Sequence, residues 1–395
     1  MKLPKISNQP NKAGQPGKLA VGLLLAGCGW MLVSCASLRN HDSGPHYATV
    51  TVNNVEPRRD LDGNIMDAHD GCLQFFDGRY YLYGTAYGKT AGFGINNRYC
   101  VYSSSDLMHW TFEGELLKSP PTGTYYRPYV VYNRLTRKYV LWYNWYPRLW
   151  DGQNAVAVSD TPTGPFQIVN ADVHLTQSQQ HPGDGSLFVD DDGTGYFIYT
   201  VIDQNHSIRV EQLTPDYLAS VGEVSAVLGE NCEAPVMFRR QNTYYALFDN
   251  CCCFCSQGSG ARVYTAASPL GPFMLRNNIN RNATNGDPIV PAQQTWVAQI
   301  PTPAGTDYVW MGDCWGSRPD GIKGHDFQYW SVPLAFAADG SIRPLEFSPE
   351  WRATIAVSIQ PPPCHTIYVW PHQINPHPLN TDPCSGRPLS PEEGQ

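Results

Sequence analysis

Charge is scarce in this chain: Asp, Glu, Lys and Arg make up 16% of its 395 residues, and the formal net charge is −8. No stripe of Lys and Arg runs through it, which removes the electrostatic footprint that a nucleic-acid partner needs. A helical period of useful length is missing too, so neither a bundle nor an amphipathic surface helix is expected. The one long apolar run, Leu19 to Val33, falls short of the ~20 residues of a membrane-spanning helix. EF-hand ligand spacing is absent as well, and the acidic string Asp190 to Asp192 reads as a solvated turn.

Aromatics are plentiful at 12%, with 35 Gly and 33 Pro, a balance that suits many short strands and tight turns. The phrase HDGCLQFFDGRYYLYG, followed by CVYSSSDLMHWTFEG, pairs two aromatic, β-branched runs across polar turn residues. It recurs as RPYVVYNRLTRKYVLWYNW, GDGSLFVDDDGTGYFIYT, CEAPVMFRRQNTYYALFDN and, more weakly, QQTWVAQIPTPAGTDYVWMGD. Marked by Tyr81, Tyr139, Tyr196, Tyr245 and Tyr308, the copies are about 50 to 60 residues apart, the length of a four-stranded blade with a long loop. The expected fold is all-β, a five-bladed β-propeller over residues 61–357.

Four lysines precede the apolar run at the N-terminus, the order of a secretory signal, so residues 1–35 read as a signal segment and 36–60 as a linker. Leu25 to Cys28 and Leu32 to Cys35 both resemble a bacterial lipobox, and Cys35 makes use of the whole apolar run. The expectation is a secreted or cell-envelope lipoprotein, with the membrane involved only through that segment. Twelve cysteines, most of them beyond the signal, agree with an oxidising compartment in which disulfides persist. Cys364 and Cys384 bracket the Pro-rich tail, residues 358–395, and are placed to staple it. The cluster Cys251-Cys252-Cys253-Phe254-Cys255 reads as disulfides or a rim loop, because adjacent cysteines point apart and do not readily close a tetrahedral zinc site.

Asp70, Asp184 and Glu233 each stand at the head of a different copy, shortly before its aromatic strand core. In a propeller, inner strands can aim such acids into one central hollow. Hydrolysis of a glycosidic bond by inversion needs an acid for the leaving oxygen and a carboxylate for water, about 6.5–9.5 Å apart. Glu233, beside Pro235 in CEAPVMF, is assigned the general acid and Asp70 the general base. Asp184 is assigned the third carboxylate, which tunes and orients Glu233. Arg127 begins the second inner strand, while Asp313 and Trp315 end a fifth-blade strand; all three are sugar-contact candidates, as is His69. Tyr126, Trp145, Phe254 and Trp315 are candidate stacking platforms for pyranose faces.

Taken in order, AHDGCLQFFDGRYYLYG, YSSSDLMHWTFEG, RPYVVYN, AVSDTPTGPF, GSLFVDDDGTGYFIY, EAPVMFRRQNTYY and YVWMGDCW resemble glycoside hydrolase family 43, nearest its galactan 1,3-β-galactosidase branch. The resemblance implies a five-bladed propeller and an inverting attack on galactans, arabinans or xylans. Glu233 then matches the family's general acid and Asp184 its pKa-tuning aspartate. Two departures from the branch stand out. Asp70 replaces a glycine-rich phrase and matches the base position of the wider family, while the branch's glutamine has its counterpart at Gln293, beside Gln294. Asp70 is the simpler base, with Gln293 as a water or sugar contact. Tyr126 stands where the branch has a glutamate, which alters a substrate contact. The chemistry requires no cofactor, a structural calcium ion is compatible with the family, and a monomer acting on an oligo- or polysaccharide is expected. The competing reading is a catalytically silent, lectin-like sugar-binding propeller.

Overall fold

The computed structural model describes residues 45–95, 97–148, 151–176, 182–251 and 254–358. The signal segment with Cys28 and Cys35, and nearly all of the tail with Cys364 and Cys384, lie outside these residues. Among the described residues there is no α-helix, only strands and two short 3-10 turns, and no helix is long and apolar enough to cross a membrane.

Five antiparallel sheets follow one another along the chain, each built in sequence order from the inside outwards. Blade one comprises His69–Phe76, Arg79–Ala86, Arg98–Ser104 and Trp110–Glu115; blade two Thr124–Asn133, Lys138–Arg148, Asp151–Ser159 and Gln167–Asn170. Blade three comprises Pro182–Val189, Gly195–Val201, Ser207–Leu213 and Ser220–Val224; blade four Cys232–Arg240, Thr243–Asn250, Arg262–Ala266 and Met274–Asn278. Blade five has three strands, Gln293–Thr302, Gly305–Cys314 and Phe327–Trp330. The expected all-β, five-bladed propeller is the observed fold.

Second strands are buried on both faces, as in Arg79–Ala86 and Gly195–Val201. Covered on both sides, such a strand needs a continuous aromatic run rather than polar alternation. Outermost strands such as Ser220–Val224 and Met274–Asn278 face solvent. The inner hairpin of blade one turns at Asp77 and Gly78, both with positive φ (48° and 85°) between the paired Phe76 and Arg79. This is the two-residue turn whose twist matches that of the strands.

Two expectations are corrected. Residues 46–53, assigned to the linker, form the strand His46–Asn53, which pairs antiparallel with Glu350–Val357. Asn54 then pins this ribbon to blade five: its Nδ2 donates to the carbonyls of Trp330 (2.8 Å) and Ser348 (3.0 Å), and its Oδ1 accepts from Trp330 N (3.0 Å). Tyr80 Oη of blade one donates to Ala356 O (2.8 Å), so the ribbon ties the last blade to the first. The second correction concerns Asp190, which is a largely buried pin between blades three and four rather than a solvated turn residue. It accepts from Arg239 Nη1 (2.7 Å) and Tyr244 Oη (2.5 Å).

Candidate active site

Each inner strand carries one extra residue near its head, opposite a regular neighbour. The register slips between His69 and Cys72, Tyr126 and Tyr129, Pro182 and Gly185, Glu233 and Val236, and Gln294 and Trp296. A bulge bends its strand and re-aims side chains. Here the unpaired residues are 70–71, 127–128, 183–184, 234–235 and 295, so a bulge holds Asp70, Arg127 and Asp184 and directly follows Glu233 and Gln294, one for each blade. Asp70, Arg127 and Ala234 take the left-handed conformation (φ 60°, 54° and 54°), at a cost of about 1–2 kcal/mol per residue. Gly71 makes the first of these bends possible, since a Cβ there would lie 1.9 Å from Tyr83 O.

The bent heads converge. Asp70, Arg127, Asp184, Glu233 and Gln293 line one hollow of about 660 Å³ including its open mouth, with Phe93, Tyr126, Tyr146, His206 and Phe254 among its other walls. Acids 70, 184 and 233, far apart in sequence, therefore share a single sugar-sized space with polar groups and aromatic faces.

Arg127 is the cation among these acids. Its Nε lies 2.9 Å from Asp184 Oδ2. Burial opposes its charge, but Asp184, Tyr129 and Asp70 hold its pKa well above the usual value, so it stays cationic. The same Asp184 oxygen accepts from Ala234 N (3.1 Å), which fixes it beside Glu233. Asp70 is buried, with its N–H donating to Asp313 Oδ2 (2.8 Å) and its Oδ2 accepting from Tyr87 Oη. Burial pushes its carboxyl up, Arg127 pulls it down, Asp313 raises it again, and the balance is about 6. Glu233 Oε1 accepts from Gln293 Nε2 (3.1 Å), and its Oε2 lies 3.7 Å from Cys251 Sγ.

Four of the expected sugar contacts stand behind the hollow rather than in its wall. His69 is 1% exposed; its Nδ1 lies 3.2 Å from Asp313 Oδ1 and its Nε2 3.2 Å from Gly324 O. Burial lowers its pKa, but the hydrogen bond and charge of Asp313, then the charge of Asp67, raise it to about 9. His69 is thus an imidazolium with both N–H groups committed. Asp313 is fully buried between His69 and the Asp70 backbone. Trp315 donates its Nε1 to Gln293 Oε1 (2.7 Å) and packs edge-on against Phe254. Trp145, a candidate platform, is buried, donates to Ala171 O and stacks on Tyr125. Tyr126 and Phe254 do line the hollow, although Tyr126 Oη donates to Gly92 O (2.7 Å). Gln294 is structural, held by Ala234 O (2.9 Å) and Trp310 Nε1 (3.1 Å).

Three neighbours were not legible as site residues. Asp249 pairs with Glu233 across the blade-four hairpin and is fully buried, with Ser259 Oγ at 2.5 Å from its Oδ2. Burial, then the charge of Glu233, push its carboxyl well above the ordinary range. Counting back from the turn at 241–242 with one bulged residue would have found it. Tyr87 lies in a loop and Lys323 opens the short 3-10 turn Lys323–His325, where no period marks a residue. The Lys323 ammonium sits 3.6 Å from the Trp315 ring centroid and 3.8 Å from that of Phe254, and burial lowers its pKa to about 8. As for thiols, Cys72, Cys100, Cys232 and Cys314 are free, and Cys255 is disulfide-bonded.

Comparison with known proteins agrees with this geometry. The model of glycosyl hydrolases family 43 matches residues 65–309. An arabinoxylan arabinofuranohydrolase of Bacillus subtilis (strain 168) is 26% identical in a match of length 313 that covers 65% of this chain; the chain spans only 58% of that relative's length. Among solved structures, a β-1,3-galactosidase of the same family, bound to galactodeoxynojirimycin, superposes with a TM-score of 0.65 at 25% identity, covering 76% of this chain and 99% of its own. An exo-β-1,3-galactanase from Clostridium thermocellum superposes with a TM-score of 0.66 at 27% identity, covering 76% and 66%. With the match spanning more than half of the chain and taking in the heads of all five inner strands, the protein belongs to glycosyl hydrolases family 43.

Proposed function

We propose that this protein is an exported or envelope-anchored glycoside hydrolase that cleaves a β-1,3-galactan or a related plant or algal side chain with inversion. The observation that carries this reading is the shared hollow of Asp70, Asp184 and Glu233. Glu233 is the general acid, tuned by Asp184 and Arg127 on one side and by the buried Asp249 on the other. Asp70 is the general base, poised by Tyr87 and Asp313. A base with a pKa of about 6 is ionised at neutral pH yet basic enough to accept a proton from water.

Gln293 supports the acid rather than the water. Its amide donates to Glu233 at 3.1 Å, whereas an inverting base must stand across the sugar, about 6.5–9.5 Å from the acid. Galactan is favoured by the likeness to the galactosidase and galactanase above 65% coverage of their chains. Export is favoured by the basic, then apolar, N-terminal segment.

The test is hydrolysis of β-1,3-galactan, arabinan and xylan oligosaccharides by the wild type, Glu233→Gln and Asp70→Asn. Loss of an acid or base is expected to lower kcat by about 10²–10⁴ while the oligosaccharide still binds. If wild type and variants bind a glycan equally and none cleaves it, the protein is a lectin-like propeller.

A further inference from the structure

We infer that His206 Nδ1, Glu233 Oε2 and Cys251 Sγ form a binding site for a thiophilic divalent cation, with Zn²⁺ as the reference ion, at the mouth of the active-site hollow. One donor atom from each of His206, Glu233 and Cys251 lies within 4.8 Å of the others. Sγ is 3.3 Å from His206 Nδ1 and 3.7 Å from Glu233 Oε2. Tetrahedral zinc, with bonds of about 2.3 Å to sulfur and about 2.0–2.2 Å to nitrogen and oxygen, holds such ligands roughly 3.3–3.6 Å apart. The two separations from Sγ bracket that edge, and the remaining nitrogen-to-oxygen separation is what an entering ion would set.

The backbone holds the three carriers in place. Asn231 N donates to Asn205 O (2.9 Å), Cys232 N to His206 O (3.1 Å) and Cys251 N to Asn231 O (3.1 Å). The loop bearing His206, the strand head bearing Glu233 and the strand end bearing Cys251 are therefore laced together. Thiolate and imidazole select Zn²⁺ or a similar borderline ion over calcium or magnesium, which want oxygen alone. His206 and Glu233 line the hollow, so the fourth position opens towards solvent and substrate. Cys251 is a member of the five-residue cysteine-rich string, but its partners come from two other segments, which is why spacing within the string gave no sign of the site.

On binding, the thiol proton leaves to solvent and the metal takes the Glu233 oxygen. Resting on the glycosidase reading, this makes the ion a competitor of catalysis, because a ligated Glu233 does not donate a proton. The test titrates Co²⁺, a spectroscopic stand-in for Zn²⁺, into the reduced full-length protein. One equivalent is expected to give a thiolate-to-cobalt charge-transfer band and intense tetrahedral d–d bands, both displaced by Zn²⁺. Cys251→Ser should abolish the charge-transfer band, and His206→Gln should weaken affinity at least ~10-fold, with circular dichroism showing both variants folded. Absence of that band, or its persistence in Cys251→Ser, overturns the site. In hydrolysis assays Zn²⁺ should slow the wild type, a chelator should restore it, and Cys251→Ser should resist. Co²⁺ bound through Cys251 without inhibition by Zn²⁺ would overturn the competition. A protein that binds Co²⁺ in this way but cleaves no glycan would keep the metal site and end the glycosidase reading.

Discussion

Asp70 and His69 are adjacent in sequence and opposite in character, and Asp313 sets both. The carboxylate of Asp313 holds His69 charged and raises the Asp70 carboxyl, while Tyr87 and Arg127 restrain that rise. With Asp70 in the proposed role of base, which must be ionised, kcat/KM should fall as pH drops through about 6, the acid limb reporting the free enzyme. Tyr87→Phe removes a hydrogen bond to the ionised form, so the limb should move to higher pH; a pH–rate profile of the two proteins checks this. His69 has the other sign. Its pKa in the fold, about 9, exceeds the ordinary 6.5, so its stabilising contribution is complete below about 6.5 and lost as pH rises to about 9. Denaturant melts across that range should show falling stability in the wild type and a flatter dependence in His69→Gln.

At the scale of elements, the bulge is the device that makes the site. A regular strand alternates its side chains between the two faces; one extra residue at each inner head turns a carboxylate, a guanidinium or an amide towards the centre. The repeated strand-turn-strand phrase, the five blades and the acids at the strand heads were readable because aromatic runs and turn residues leave a local period. The bulges were not, since an extra residue is defined only against its partner strand. The sequence therefore puts His69, Asp313 and Trp315 beside the site without showing which way they face. Correctly placed near the heads, they face the layer behind, where Asp313 pairs with Gln293 just as Asp249 pairs with Glu233. The closing ribbon was also missed, because His46–Asn53 and Glu350–Val357 lie at opposite ends of the propeller and share no repeat phrase. Asn54 gives a direct check of that ribbon. Replacing it with alanine strips three hydrogen bonds and orphans the N–H of buried Trp330, whose carbonyl keeps Trp351 Nε1, which should cost roughly 2–4 kcal/mol in denaturant melts.

Over the whole molecule, closure and catalysis are one problem. Five blades put five strand heads around one axis, and the pairing of the first described strand with the last keeps the ring shut. Interblade pins such as Asp190 with Arg239 and Tyr244 hold neighbouring heads at fixed spacing. The proposed acid and base, Glu233 and Asp70, sit on different blades with no flexible hinge between them, and the proposed inversion requires them to stand across a sugar. The stereochemistry of the first product reads that spacing. In ¹H NMR of early turnover on a β-1,3-galacto-oligosaccharide, α-galactose should appear first and mutarotate later to the β form. Initial release of β-galactose would mean retention, and would refute Asp70 as a base acting through water.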